Sequence, residues 1–534
     1  MSPAAALVVA GAVLAGSAAA VPGQRYASAT PVIAPVPMGA SCAAAASADV
    51  DLGAAWLLVG EPEAARPAFD RAVDHDPDCA LGYWGQAAVR FPATDAGSPD
   101  AQRAVDAAVG RALAVPVRTP FERAVIGALR ALRDRVAAPG VPAAWPARLS
   151  AYRDALCAGV AADRGIRLWC ARALADAASS IDLPGAVPAA LPHVVELARD
   201  RALDVGTAFI ALEVVPDPHA PIVGRALAAI VAADPPAAAP HLAAADMAVR
   251  RGDWTAAAAA SARAGAVAGR SEARASALDA ELEALMQLGR RRDAYARAAA
   301  AIRLSADGGE AERDAAARAV ARLAIADRRI DGRGLGDRGA LDLGPREAAR
   351  WPAVFVDALD AALRAWPGGD AALLARARTS LASLQALAGE DSTAEATWAA
   401  TIVEAAMAAS QDEHQQMDLF LAHAADLERN PAMIRAGRAL LVPTREIAAE
   451  LWLRTYRYDW ARRDAAAVLE AQRRRISPVV VLARTAVRVG DRAAAVAAWR
   501  TILELRASAD ADDTLRLEAT QALAATPAGT PPRP

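Results

Sequence analysis

The sequence predicts an all-α chain whose helical hairpins repeat and stack into a curved solenoid. Alanine supplies most of an apolar content of 55%, against only 4% aromatic residues. Alanine is the best helix former but buries little surface per residue, so long helices over shallow cores follow. No segment shows the alternation of β-branched and polar residues that marks a strand. Small residues, aromatics and prolines recur at fixed offsets along the 534 residues, as they do in a repeat array.

The clearest copy reads "DLGAAWLLVGEPEAARPAFDRAVDHDPDCALGYWGQA". Leu52-Gly53 and Trp56 occupy a first helix; Ala65, Phe69 and Ala72 occupy a second, closed by Pro77. The small residues let two helices approach, and the aromatics fill the gaps between them. Pro77 has no amide to continue the helix, so the chain turns, and Tyr83 and Trp84 begin the next hairpin. These offsets are those of the tetratricopeptide repeat, with its period of about 34 residues. Tyr83 and Trp84 have a packing role on this reading, with catalysis as the alternative. Weaker copies place Gly252-Asp253-Trp254 with Ala257 and Ala264, a turn at Gly289, Ala461, and Gly490 with Ala495 and Trp499.

The chain opens "MSPAAALVVAGAVLAGSAAAVPGQ", an uncharged apolar run from Ala4 to Ala20 that ends in small residues. This predicts a signal peptide over residues 1–20 and an exported, periplasmic or extracellular protein; an uncleaved membrane anchor is the alternative. No later stretch is long and apolar enough to span a membrane. A flexible Pro-rich leader (21–41) precedes two helical arrays, 42–330 and 346–525. A Gly-rich linker, 331–345, separates the arrays, and a disordered tail, 526–534, ends the chain. The linker's Gly332, Gly334 and Gly336 lack the preceding strand that a phosphate loop needs. Net charge is −3 with both signs interspersed, and all 59 basic residues are arginine. That leaves no basic footprint for nucleic acid.

The four cysteines, Cys42, Cys79, Cys157 and Cys170, favour disulfides in an exported chain, and none has C-x-x-C spacing. Cys157 and Cys170 lie at nearly equal distances from the turn "ADRG", which sets them at one height on an antiparallel helix pair. A second disulfide and two buried free thiols both fit that placement.

Over nearly its whole mature length the chain resembles a family of exported bacterial tetratricopeptide proteins. The residues that carry the resemblance are Ser41-Cys42, "DPDCALGYWG" from Asp76 to Gly85, and the closing stretch that begins "PTREIAAELWLRTYRYDWARRD". Cys42 and Cys79 match cysteines of that family, and the resemblance implies a disulfide between them. The family's histidine motifs are lost. One histidine falls on Leu57; those of a second motif fall on Arg201, Gly206 and Ile210, leaving only Ala211 and Glu213; those of a third fall on Leu242 and Asp246. Clustered histidines on facing helices are what a transition metal or a proton relay needs. The resemblance therefore implies a divergent member that keeps the scaffold without that site.

Among the six histidines, the densest group is "DEHQQMDLFLAH". His414 and Asp418 are one helical turn apart and His423 sits on a poorer register, so at most two ligands share a face. A solvated helix face outweighs a metal site there. No G-x-S-x-G, H-E-x-x-H or P-loop is present. The expectation is an exported, non-enzymatic scaffold that holds a protein or peptide in a concave groove, with no cofactor, no metal and no catalytic residues. The alternative is an enzyme with an unrecognised active site in that groove.

Overall fold

A computed structural model describes residues 33–525, apart from 93–96, 139–140, 161–162, 180–185, 200–201, 270, 306–308, 330–349, 367, 392–393 and 430–440. The signal peptide, the Gly-rich linker, the tail and Arg201 lie outside the described residues.

The repeat is written into its turns. After Gly252 and Gly490, which end helices in left-handed backbone at φ +73° and +78°, Asp253 and Asp491 cap the next helices by accepting from Ala256 and Ala494 amides. Gly252 is doubly constrained, because a Cβ there would also run into the Arg473 carbonyl. Each such turn closes an antiparallel hairpin.

The first core runs from Ile33 to Met247. It is built by α1 (Ala44–Leu58), α2 (Pro62–His75), α3 (Ala80–Ala88), α4 (Pro99–Ala114), α5 (Pro120–Asp134) and α6 (Trp145–Ala158). The helices α7 (Arg164–Ser179), α8 (Ala186–Leu197), α9 (Val205–Val214), α10 (Pro221–Ala233) and the start of α11 (Ala238–Arg251) complete it. Next come α12 (Trp254–Val267), α13 (Ser271–Leu288), α14 (Arg291–Ser305) and α15 (Glu310–Arg329). A second core gathers α16 (Trp351–Arg364), α17 (Ala371–Asp391), α18 (Ala394–Ser410), α19 (His414–Glu428), α20 (Thr444–Arg454) and α21 (Tyr458–Ala471). The final helices, α22 (Ile476–Val489), α23 (Arg492–Leu505) and α24 (Thr514–Ala524), share a third core with α12 to α15. The end of the array therefore returns onto its middle. The fold is a tetratricopeptide-like helical solenoid.

Two local expectations need correction. A small antiparallel ribbon pairs Val136–Ala138 with Val141–Pro142, flanking Pro139-Gly140 in sequence. The leader is also not flexible over its second half. Ile33 and Met38 are buried, the Met38 amide donates to Asp51 (2.7 Å), and the Trp169 indole reaches the Met38 sulfur at 3.1 Å. Apolar burial and these bonds repay the ordering of residues that composition alone left loose.

Glu122 fastens the same segment. Its buried carboxylate accepts from the Ser41 amide and hydroxyl (both 2.7 Å) and from the Arg118 and Thr119 amides (2.7 and 2.9 Å), while Thr119 caps α5. Burial alone would raise its pKa, but the bonds from Thr119, Ser41 and Arg118 outweigh it and hold the carboxyl below 4.5. A depressed folded pKa contributes stability that is present above the ordinary value and is lost as pH falls through the folded one. Glu122→Gln is therefore expected to cost about 2 kcal/mol at neutral pH. Urea unfolding at a series of pH values should show that difference closing under acid conditions.

Phe69, fully buried, is clasped between two glycines. A Cβ at Gly53 would lie 2.7–2.9 Å from the Phe69 ring, and one at Gly85 would fall inside its contact surface. Trp84 meets Phe69 edge-on at 6.0 Å and donates its indole N–H to the Tyr152 hydroxyl at 3.0 Å, in a setting whose burial pushes that phenol up to about 12. Gly85→Ala gains about 1 kcal/mol of helix propensity but overpacks the ring. A net loss of about 2 kcal/mol is expected in equilibrium unfolding. Gly110→Ala and Gly127→Ala, where nothing lies within 4 Å of the new carbon, should instead gain up to about 1 kcal/mol.

Candidate functional site

Trp56, Ala65, Phe69, Ala72, Tyr83, Trp84, Ala495 and Trp499 are buried between hairpins, with Leu52 half-buried and Pro77 exposed at its turn. The sulfurs of Cys42 and Cys79 are 2.07 Å apart, those of Cys157 and Cys170 are 2.04 Å apart, and no cysteine is free.

The helices that carry the positions matching the lost histidine motifs, α1, α9 and α11, meet. Gly206 in α9 would place a Cβ 3.2 Å from Leu58 in α1, and Gly60 would place one 3.3 Å from both Phe209 and Ala239. Leu57 and Leu242 are half-buried and Ile210 is fully buried. Leu58, Phe209 and Ala239 pack at this meeting of three helices, and the Asp204 carboxylate lies 3.3 Å from where a Gly206 side chain would begin. Glu213 faces elsewhere: it accepts from the buried Arg172 at 2.6 Å, and Arg172 also holds Asp176 at 2.6 Å and lies over the Phe209 ring. Burial pushes the Glu213 carboxyl up, and Arg172 pulls it back. Asp246 is pushed up by burial too, with Arg250 lowering it and Glu283 raising it further.

His414 and Asp418 are not brought together as a ligand pair. The His414 Nδ1 lies 2.9 Å from the Asp412 carbonyl and 3.5 Å from its carboxylate. His423 instead lowers the Glu404 carboxyl, which burial raises. Among the described residues, no group of three histidine, cysteine or carboxylate side chains is arranged to hold a metal ion.

Asp418 lines something else: a cleft of about 380 Å³ between α19, α20 and α21. Leu421, Ala448 and Trp452 form its buried floor. Arg445, Arg463 and Asp464 also line it. Asp464 accepts from Arg463 at 3.1 Å, and the Arg463 guanidinium stacks over Trp460 at 4.4 Å. Trp460 in turn packs against Trp452 with ring centroids 5.1 Å apart, yet it is 42% exposed.

Four residues on from Trp452, the α20–α21 turn presents Tyr456. Gly252, Gly289 and Gly490 supply left-handed backbone at other hairpin turns; here, as with Asp234, Asp412 and Arg474, a non-glycine residue adopts it, a tyrosine at φ +61°. Its ring is 63% exposed, with Trp366 and Tyr458 at centroid distances of 6.1 and 6.4 Å. A non-glycine residue in that region costs about 1–2 kcal/mol. Strain of this kind clusters at functional sites. The sequence marks "TYRYDWARRD" by its repeat offsets and by the family resemblance; the further signal is a tyrosine at a turn position where the backbone favours glycine.

No protein-family model matches the chain, and no curated protein matches it. Among solved structures, it is similar to the tetratricopeptide (TPR) domain of P58(IPK), at 13% identity over 91% of this chain and 99% of that one, TM-score 0.20. It is also similar to the APC/C hetero-tetramer Cut9-Hcn1 (11%, 90% of each chain, TM-score 0.28) and to yeast Tom70 (10%, 90% of this chain and 88% of that one, TM-score 0.22). The assignment to stacked hairpins rests on the chain's own helices and turns.

Proposed function

We propose that this protein is an exported, non-enzymatic scaffold of the cell envelope that binds a protein or peptide partner on its C-terminal hairpins. The observation that carries the reading is Tyr456, a tyrosine held at φ +61° and 63% exposed at a turn. Exposed Tyr, Trp and Arg are the side chains most often found as binding anchors, and Trp460 and Arg463 stand on the adjoining helix. The apolar run Ala4 to Ala20 and the two cysteine pairs support an oxidising, exported setting. No helix among the described residues is long and apolar enough to cross a membrane.

Tyr456→Gly separates binding from packing. Relief of the left-handed strain should leave the thermal midpoint unchanged or raised, by up to about 1–2 kcal/mol of stability. Capture of the partner from envelope extract by the disulfide-intact chain should fall at the same time. A less stable variant that captures its partner undiminished would make Tyr456 a packing residue and remove the support for this reading.

A further inference from the structure

We propose that the cleft between α19, α20 and α21 seats a peptide segment in which one apolar anchor side chain is flanked by an acidic and a basic residue. This rests on the scaffold reading and names the partner's chemistry. The cleft's volume of about 380 Å³ falls in the range of sites that enclose ligand groups, roughly 300–1,000 Å³. Its floor is apolar: Leu421 is 5% exposed, and Ala448 and Trp452 are each 4% exposed.

Two charges of opposite sign line the same cleft from different helices, Asp418 on α19 and Arg445 on α20. Both are exposed, and among the described residues neither forms a hydrogen bond or ion pair. By contrast, Asp464 already holds Arg463. A guanidinium presents a planar fork that matches a carboxylate, so Arg445 selects an acidic side chain. Asp418 selects a guanidinium or ammonium. Between them, the hydrocarbon floor takes the anchor. Trp460, packed against Trp452 and 42% exposed, carries the apolar surface out of the cleft. A ligand that uses all of it is longer than the cleft, which fits a peptide better than a free amino acid.

The test uses the full chain with its disulfides intact and fluorescein-labelled short peptides. Each peptide carries a central leucine or tryptophan with one glutamate and one arginine at varied flanking positions, in both orders. Peptides with glutamine at both charged positions are the controls, and binding is read by fluorescence polarisation. At least one charged peptide should bind, about tenfold or more tighter than its glutamine control. Arg445→Gln and Asp418→Asn should each weaken it about tenfold. Both side chains are exposed, so the variants should keep the parent's melting temperature. The double exchange Arg445→Asp with Asp418→Arg should transfer preference to peptides of reversed charge order. Binding that ignores the peptide charges, no peptide binding at all, or equal binding of free leucine and arginine would each overturn the proposal. If an envelope partner is captured through Tyr456 while Arg445→Gln and Asp418→Asn leave capture unchanged, the cleft assignment fails and the scaffold reading stands.

Discussion

Replacing Arg475 with leucine is expected to cost roughly 3–5 kcal/mol of stability, the usual consequence of removing one partner from a buried ion pair. Arg475 is 3% exposed and contacts Glu283 of α13 and Glu446 of α20, and its guanidinium also donates to Gln472 at 2.8 Å. Burial works against its charge, but Glu446 and Glu283 outweigh it and raise its pKa above the ordinary arginine value. Nearby Arg322 forks onto Asp279 (2.6 and 2.7 Å), approaches Glu283 at 3.2 Å and donates to the Leu441 carbonyl at 3.1 Å. Gln287 accepts from the Ile476 amide at 2.7 Å. Glu283, Gln287, Arg322, Glu446 and Arg475 line a small cavity of about 30 Å³, room for about one water. The network joins the middle of the array to its returning end, so its loss should raise hydrogen exchange in α22 to α24 first. Arg475→Leu together with Glu446→Leu should recover much of the loss, because an apolar pair leaves no stranded charge. A double variant no more stable than Arg475→Leu would show that the cost is one of shape.

Loss of the Cys42–Cys79 bond is expected to cost about 4 kcal/mol through chain entropy, since it closes a separation of 37 residues. The bond ties the docked leader to the junction between α2 and α3, next to the Phe69 clasp. Cys157–Cys170 spans only 13 residues, and its loss should cost about 3 kcal/mol. Cys42→Ala with Cys79→Ala, compared with the parent by urea unfolding, measures the first. Titration of the unfolded, unreduced parent should find no free thiol. Two thiols per chain, or an unaltered unfolding midpoint in the double variant, would contradict the crosslink's role.

What the sequence disclosed was local. Leu52, Gly53, Trp56, Ala65 and Phe69 lie within one hairpin, where spacing translates directly into facing positions. The turn glycines were legible for the same reason. The Arg475–Glu283 contact joins residues 192 apart, and nothing in either neighbourhood announces its partner. That pairing follows from how far the array curves before its end returns to its middle, a sum of small rotations no single repeat encodes. The cleft was illegible for a related reason: Asp418, Arg445 and Arg463 come from three helices. His414 and Asp418 share a helical face as their spacing requires, but His414 instead turns to the backbone of Asp412. Spacing sets the face, while rotamer and local acceptors decide the partner. The leader misled because proline-rich composition says nothing of Ile33 and Met38 finding a core built by distant helices.

The claim that this solenoid works by holding a partner at its C-terminal hairpins is tested most directly by photocrosslinking in intact cells. A benzophenone amino acid placed at Ala422, which is exposed and lines the cleft, should yield a discrete crosslinked species. The same group at Val231 on α10, 75% exposed and remote in sequence, should yield none. A crosslink from Val231 with silence at Ala422, or silence at both, would contradict it.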